Sequence, residues 1–321
     1  MKKLLQHKLF NVAIKILIFG GLLVVLYYQL FSQENIEIAY HHFLHTFHGN
    51  YTLLTFVIVL MILNWTIETI KWKLLIDKLH PITWIDAFEG ILFGVTFSLF
   101  TPSRIGEFGG RVFALNTDRK EAIVSTILGS VAQIVINLTF GALGLLAYSF
   151  LFKKLDAYFM LSFVVVYLLM IAAIHFCYYN LDVVSNKLSR FSIFKKIYKY
   201  IHIIDLYPNK FFLSLEILSA VRYGIYCLQF VLLLKFFGFQ LPFFTAMILV
   251  AAIFFVQTIN PINIALVDFG FRGNVAAYFL AGFTQNPIAI IATTVTLWFI
   301  NLIIPAIIGG ISALRFKFFQ E

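Results

Sequence analysis

The chain has 321 residues, of which 61% are hydrophobic and 12% charged. Soluble domains carry about a quarter charged residues, so a water-soluble core is excluded and a polytopic membrane protein is expected. The formal net charge of +9 does not point to nucleic acid, because the basic residues border apolar runs, as membrane orientation and anionic lipid surfaces require.

The basic start, Met1 to Lys8, precedes a first span at about 12–31. No small-x-small cleavage site follows Tyr27-Tyr28-Gln29, so this span is expected to be retained. Residues 32–50 hold Glu34 and Glu37 and no lysine or arginine, and are placed outside. His41, His45 and His48 there share a helical face with His42 nearby, but no cysteine or well-placed carboxylate completes a metal site. The second span, about 51–70, ends in Lys71, Lys73 and Lys78, with Glu68 just before them. Lys71 is read as snorkelling to the surface.

The third apolar run, 90–100, has only eleven residues. At 1.5 Å per residue it covers about 16 Å, half the hydrocarbon core. It stops at Thr101-Pro102-Ser103-Arg104, and Glu107-Phe108-Gly109-Gly110-Arg111 follows. Spans at about 123–152 and 158–179 come next. Residues 180–210 are polar, with Lys187, Arg190, Lys195, Lys196, Lys199 and Lys210, and are read as a cytoplasmic amphipathic connector. A span at about 211–237 contains Glu216, Arg222 and Gln229. Then come an apolar run to Ile259, Asn260-Pro261, the stretch Asp268-Phe269-Gly270-Phe271-Arg272, and a last span at about 288–313.

The two charged stretches match. Their acids are 161 residues apart (268 − 107), and so are their arginines (272 − 111) and the prolines Pro81 and Pro242. If the third segment crosses once, residues 180–210 land outside with six basic residues, against the positive-inside rule. If 84–116 turns back into the cytoplasm and 241–283 turns back outside, the large basic clusters fall inside, Lys153-Lys154 excepted. Parity is compatible with re-entrant or fully crossing limbs; the eleven-residue limb favours re-entrance for the first. The expectation is one all-α transmembrane domain over 1–321. It has six spans and two opposed hairpins, arranged as inverted repeats 1–155 and 156–321. Such repeats place a site near the midplane, where broken helices meet.

Glu107 and Arg111 are four apart and share a helical face, as do Asp268 and Arg272. A charge at the bilayer centre costs about 2.5–3.5 kcal/mol unless it pairs or meets water. One reading has each acid–arginine couple as a staple of its hairpin. The other has a polar cavity in which Arg104, Glu107 and Arg111 form an inner half-site, Asp268 and Arg272 an outer one, with Arg222 lining it. The guanidinium fork suits an anionic group such as phosphate. Pro102, Gly106, Gly109, Pro261 and Gly270 are assigned to the hairpin turns. Cys177 and Cys227 are packing residues, and no Walker loop, dinucleotide fingerprint, HExxH or nucleophile elbow is present. No metal, no cofactor and no enzymatic activity are expected.

Thr101-Pro102-Ser103-Arg104-Ile105-Gly106-Glu107, followed by Arg111 and Leu115, resembles the first signature of the lysylphosphatidylglycerol synthase transmembrane family, also called flippase-like domain proteins. That signature reads roughly P-x-R-x-G-E-x-x-R; here the last arginine comes one place late, at Arg111. Pro261 through Gly270 and Arg272 is similar to the second, with Gly273 in place of its final glutamate and Asp268 supplying an acid earlier. Lys71-Trp72-Lys73-Leu74-Leu75 is similar to the basic segment after the second span. The resemblance implies a bacterial cytoplasmic-membrane protein, both termini cytoplasmic, that moves a phospholipid or other anionic lipid between leaflets. Some members carry a soluble aminoacyl transferase domain, for which these 321 residues leave no room, so synthase activity is not expected. The alternatives are a secondary transporter of a small anion and a membrane scaffold for envelope synthesis.

Overall fold

The computed structural model describes residues 51–101, 104–113, 115, 119–153, 156–181, 183, 201–260, 265–283 and 287–315. Every regular element among them is helical: α1 (Tyr51–Ile76), α2 (Trp84–Ser98), α3 (Gly106–Phe113), α4 (Arg119–Phe152), α5 (Ala157–Tyr179), α6 (Asn209–Phe236), α7 (Phe243–Ile259), α8 (Ala265–Leu280), α9 (Pro287–Trp298) and α10 (Ile304–Arg315). A 3-10 turn at Ile201–Leu206 precedes α6. A π-helical turn at Phe299–Ile303 joins α9 to α10. Pro305 has no N–H to offer the Asn301 carbonyl, and the wider turn takes up that gap.

Five stretches are long and apolar enough to cross a bilayer: Tyr51–Ile76, Lys120–Phe152, Ala157–Tyr179, Asn209–Phe236 and Ala289–Leu314. They match five of the six expected spans. The first span, the histidines at 41–48 and most of the basic connector lie outside the described residues. α5 sits at the rim: of its residues only Tyr178 is buried. Its apolar side chains have nothing to exclude in a bilayer, where lipid tails are as apolar as leucine.

Paired contacts fix the helix directions. α1 and α6 run antiparallel, since Lys71 meets Ser219 while Val57 meets Gln229. α1 and α4 are also antiparallel. Tyr207 Oη bridges Leu75 O and Ser125 at 2.9 Å each, and Arg222 joins Glu68 to Gln133 farther along.

α2 starts beside the C-terminal end of α1. Thr83 caps it with Asp86 in a reciprocal capping box. Lys73 locks the corner by donating to Asp77 and to Ile82 O at 2.6 Å. α2 then runs back along α1, with Gly90 on Trp72, and stops where Ser98 and Leu99 share a cavity with Trp65, halfway along α1. α3 folds back along α2 at backbone contact. A Cβ on Gly110 would lie 2.7 Å from Phe93 O, and one on Gly94 2.5 Å from Arg111 Cγ. Only glycine permits that approach.

The second helical pair comes from the other end. α7 packs antiparallel on α4, with Ala251 at Gly144, Phe255 at Gly141 and Thr258 at Asn137. It ends at Ile259, near the middle of α4. α8 returns to the C-terminal end of α4, where Phe279 meets Tyr148 edge-on at 4.8 Å and Phe283 meets Phe152 at 5.3 Å. α10 closes the bundle against α2, with Gly309 on Leu92 and Thr96 Oγ1 2.9 Å from Ala306 O.

Candidate functional site

α1 carries a polar stripe, Asn64, Glu68 and Lys71, through an otherwise apolar helix. These positions share a face at helical spacing, and all three are buried. Glu68 is the hub. Its Oε1 accepts from Arg111 Nη1 at 2.6 Å, and its Oε2 accepts from Arg222 Nη1 and lies 2.9 Å from Lys71 Nζ. Arg111 also donates to Glu107, one turn earlier on α3. Arg222 Nε donates to Asn64 Oδ1 at 2.9 Å, and its guanidinium lies over the Trp65 ring at 5.8 Å. Gln133 of α4 adds an acceptor for Arg222 at 3.4 Å. Three helices are thus joined at one carboxylate.

The formal charges do not cancel. Lys71, Arg104, Arg111 and Arg222 bring +4 against −2 from Glu68 and Glu107, leaving +2. Buried ions are tolerated when paired and hydrogen-bonded, and Glu68 and Glu107 provide such partners for these cations. The surplus positive charge is unanswered by any carboxylate in this cluster.

A cavity of about 100 Å³ adjoins the cluster where the two helical pairs end. Ser98, Thr101 and Arg104 line it from the first pair, Gln257 and Arg272 from α7 and α8, and Trp65 and Tyr226 from α1 and α6. Asn301 reaches it from the π-helical turn. Arg104 has a left-handed backbone, φ +56°, which costs a non-glycine residue about 1–2 kcal/mol. Its Nη2 is 3.4 Å from Glu107 Oε2. Four buried donors, Asn64 Nδ2, Trp65 Nε1, Arg104 Nε and Arg111 Nε, have no hydrogen-bond partner among the described residues. Such groups are rare in folded proteins because each costs about 1–3 kcal/mol. Of these residues Trp65 and Arg104 line the cavity, where Asn301 Oδ1 is an unmet acceptor; unmet donors beside surplus positive charge suit an anion.

The structure brings together Arg104, Glu107, Arg111 and Arg222, and Arg272 lines the same cavity. Arg222 pairs with Glu68 behind the cavity wall instead of lining it. Asp268 and Gly270 lie on α8, but their side-chain surroundings, like Pro102 and Pro261, are outside the described residues. Two expectations need correction, those for Gly109 and Lys71. Gly109 is not in the turn; it lies within α3 with nothing near a would-be Cβ. Gly106 sits where the turn enters α3, its N–H donating to Thr101 Oγ1 at 2.7 Å and a would-be Cβ clashing with Phe97 O, while the left-handed residue of the turn is Arg104. Lys71 does not snorkel: it is 1% exposed and paired with Glu68. Glu68 itself is a member of the site that the sequence pattern does not announce. Among the described residues no three metal-ligating side chains come together.

The family model described as Lysylphosphatidylglycerol synthase TM region matches residues 12–309. No curated protein and no solved structure matches.

Proposed function

We propose, for a chain that belongs to the lysylphosphatidylglycerol synthase TM-region family over residues 12–309, that it is a flippase- or scramblase-like carrier of an anionic phospholipid or lipid-linked group. The observation that carries this reading is the cavity at the ends of the two helical pairs, with Arg104 and Arg272 on its wall and unmet donors on Trp65 and Arg104. The pairs α2–α3 and α7–α8 are read as re-entrant hairpins from opposite faces of the bacterial cytoplasmic membrane. On this reading 1–155 and 156–321 are inverted repeats, 180–210 is the cytoplasmic connector, and both termini are cytoplasmic. The support is that the two pairs approach from opposite ends and stop about halfway along α1 and α4.

The proposed steps involve no covalent chemistry. A phosphoryl group enters the cavity and accepts from Arg104, which at 41% is more exposed than Lys71, Arg111 or Arg222. Arg111 and Arg222 stay on Glu68, and their field keeps the cavity favourable for anions. Glu107 holds Arg104 and Arg111 when the cavity is empty. The acyl chains remain in lipid while the head group passes the bundle at mid-depth.

A cavity of about 100 Å³ is small for a head group, which favours as a second reading a secondary transporter of a small anion through the same site. Sealed vesicles holding the protein separate the two. Movement of a labelled anionic phospholipid between leaflets, without uptake of inorganic phosphate, supports the lipid reading. Phosphate accumulation with no lipid exchange replaces it.

A further inference from the structure

The cavity that holds Arg104 and Arg272 also presents acceptors. Asn301 lines it from the π-helical turn and is 5% exposed. Its Nδ2 donates to Leu297 O at 3.1 Å, and its Oδ1 has no hydrogen-bond partner among the described residues. Turning the amide over does not help, because Oδ1 would then face the Leu297 carbonyl oxygen. Ser98 and Thr294 line the same cavity, and each has committed its one hydroxyl hydrogen within its own helix. Ser98 Oγ donates to Val95 O at 2.7 Å, and Thr294 Oγ1 to Ile290 O at 3.0 Å. Hydroxyls so engaged can only accept.

The ligand must therefore meet two demands. Trp65 and Arg104 have unmet donors, which call for oxygens that accept. Asn301 Oδ1 calls for a hydrogen. A cationic donor would supply that hydrogen, but the +2 surplus of the neighbouring charge cluster repels it. A fully deprotonated oxyanion such as sulfate satisfies the donors and sets a lone pair against Oδ1. Water entering the cavity can donate to Oδ1, so an anion that displaces the water without bringing a hydrogen loses that bond. An anion that carries its own O–H meets both demands.

We infer, resting on the reading of this cavity as an anion site, that it selects a hydrogen-bearing phosphoryl group. Asn301 Oδ1 accepts from the P–OH, and Arg104 donates to a charged oxygen of the same group. Asn301 is then the residue that sets specificity. The chemistry is that of a phosphate monoester, free or at the head of a lipid; a phosphodiester has no P–OH to offer once ionised.

The test is calorimetric titration of the full chain in phosphatidylcholine nanodiscs with sodium phosphate and with sodium sulfate. The pH is held near 5.5, below the second phosphate pKa of about 6, so that phosphate keeps its hydrogens and sulfate has none. Charge alone then favours the dianionic sulfate. The parent chain should bind phosphate at least about tenfold more tightly than sulfate. Asn301→Leu, which keeps the side-chain bulk, should abolish the preference by weakening phosphate, and Arg104→Ala should weaken both anions. Equal affinities in the parent, or an unchanged preference in Asn301→Leu, overturn the inference and leave the anion site standing; binding of neither anion overturns both. If Asn301→Leu does not fold, Asn301→Ala takes its place, and the comparison in the parent needs neither. Nanodiscs doped with phosphatidate, a lipid monoester, or with phosphatidylmethanol, a diester, separate the sources. Block of phosphate binding by phosphatidate alone identifies a lipid head group as the ligand, and block by neither identifies free phosphate. Equal block by the diester overturns the requirement for P–OH.

Discussion

Glu68→Gln puts the charged hub under the most direct stress. Glu68 is the shared partner of Arg111, Arg222 and Lys71. The amide keeps the shape and one acceptor but removes the charge, so the cluster goes from +2 to +3. Arg111 still has Glu107, and Arg222 still has Asn64 and Gln133. Lys71 keeps only Ser219, at 3.5 Å. Removing one partner of a buried ion pair costs about 3–5 kcal/mol, and most of it should fall on Lys71. At roughly 2–4 °C per kcal/mol for a chain of this class, the thermal midpoint in detergent should drop by about 10 °C. Adding Lys71→Met returns the cluster to +2 and should recover more than half of the loss. Coupling of about 1 kcal/mol or more is then expected in the double-mutant cycle. A single mutant as stable as the parent, or a double mutant no better than the single, refutes the hub.

The glycines of the first helical pair should separate by position. Gly94→Ala drives a Cβ to 2.5 Å from Arg111 Cγ and should cost about 1–3 kcal/mol by overpacking, whereas Gly109→Ala, with open space around it, should gain up to about 1 kcal/mol of helix stability; thermal midpoints compare the two. Arg104→Gly should be more stable than Arg104→Ala by about 1 kcal/mol, because only glycine adopts φ +56° without strain; equal stability would remove the strain. Tyr207→Phe loses the bridge from Leu75 O to Ser125 and should cost about 1–3 kcal/mol, read as faster amide exchange at the joined ends of α1 and α4.

Hydropathy locates the spans because an apolar run longer than about 18 residues matches the thickness of the hydrocarbon core. It misleads where a charge near a span end looks like a boundary. The span expected to stop near Ile70 continues through Lys71, Trp72 and Lys73 to Ile76, because Lys71 and Trp72 turn into the bundle. The couple Glu107–Arg111 is legible because its partners are four residues apart. Glu68 is not, because its arginine partners are 43 and 154 residues away in sequence and no local spacing announces them. The pattern Gly90-x-x-x-Gly94 facing Gly106-x-x-x-Gly110 is present in the sequence and marks the close packing of α2 on α3 more directly than Gly109 does.

The central claim, that the cationic cavity between the two helical pairs carries anionic head groups across the bilayer, is tested most directly by leaflet exchange in proteoliposomes. A fluorescent anionic phospholipid is followed for the parent chain, Arg104→Lys, Arg104→Ala and protein-free vesicles. Loss of a charged hydrogen bond worth about 1.5–3 kcal/mol predicts exchange at least about tenfold slower in Arg104→Ala, with Arg104→Lys between it and the parent. Equal rates in the parent chain, Arg104→Ala and protein-free vesicles contradict the account.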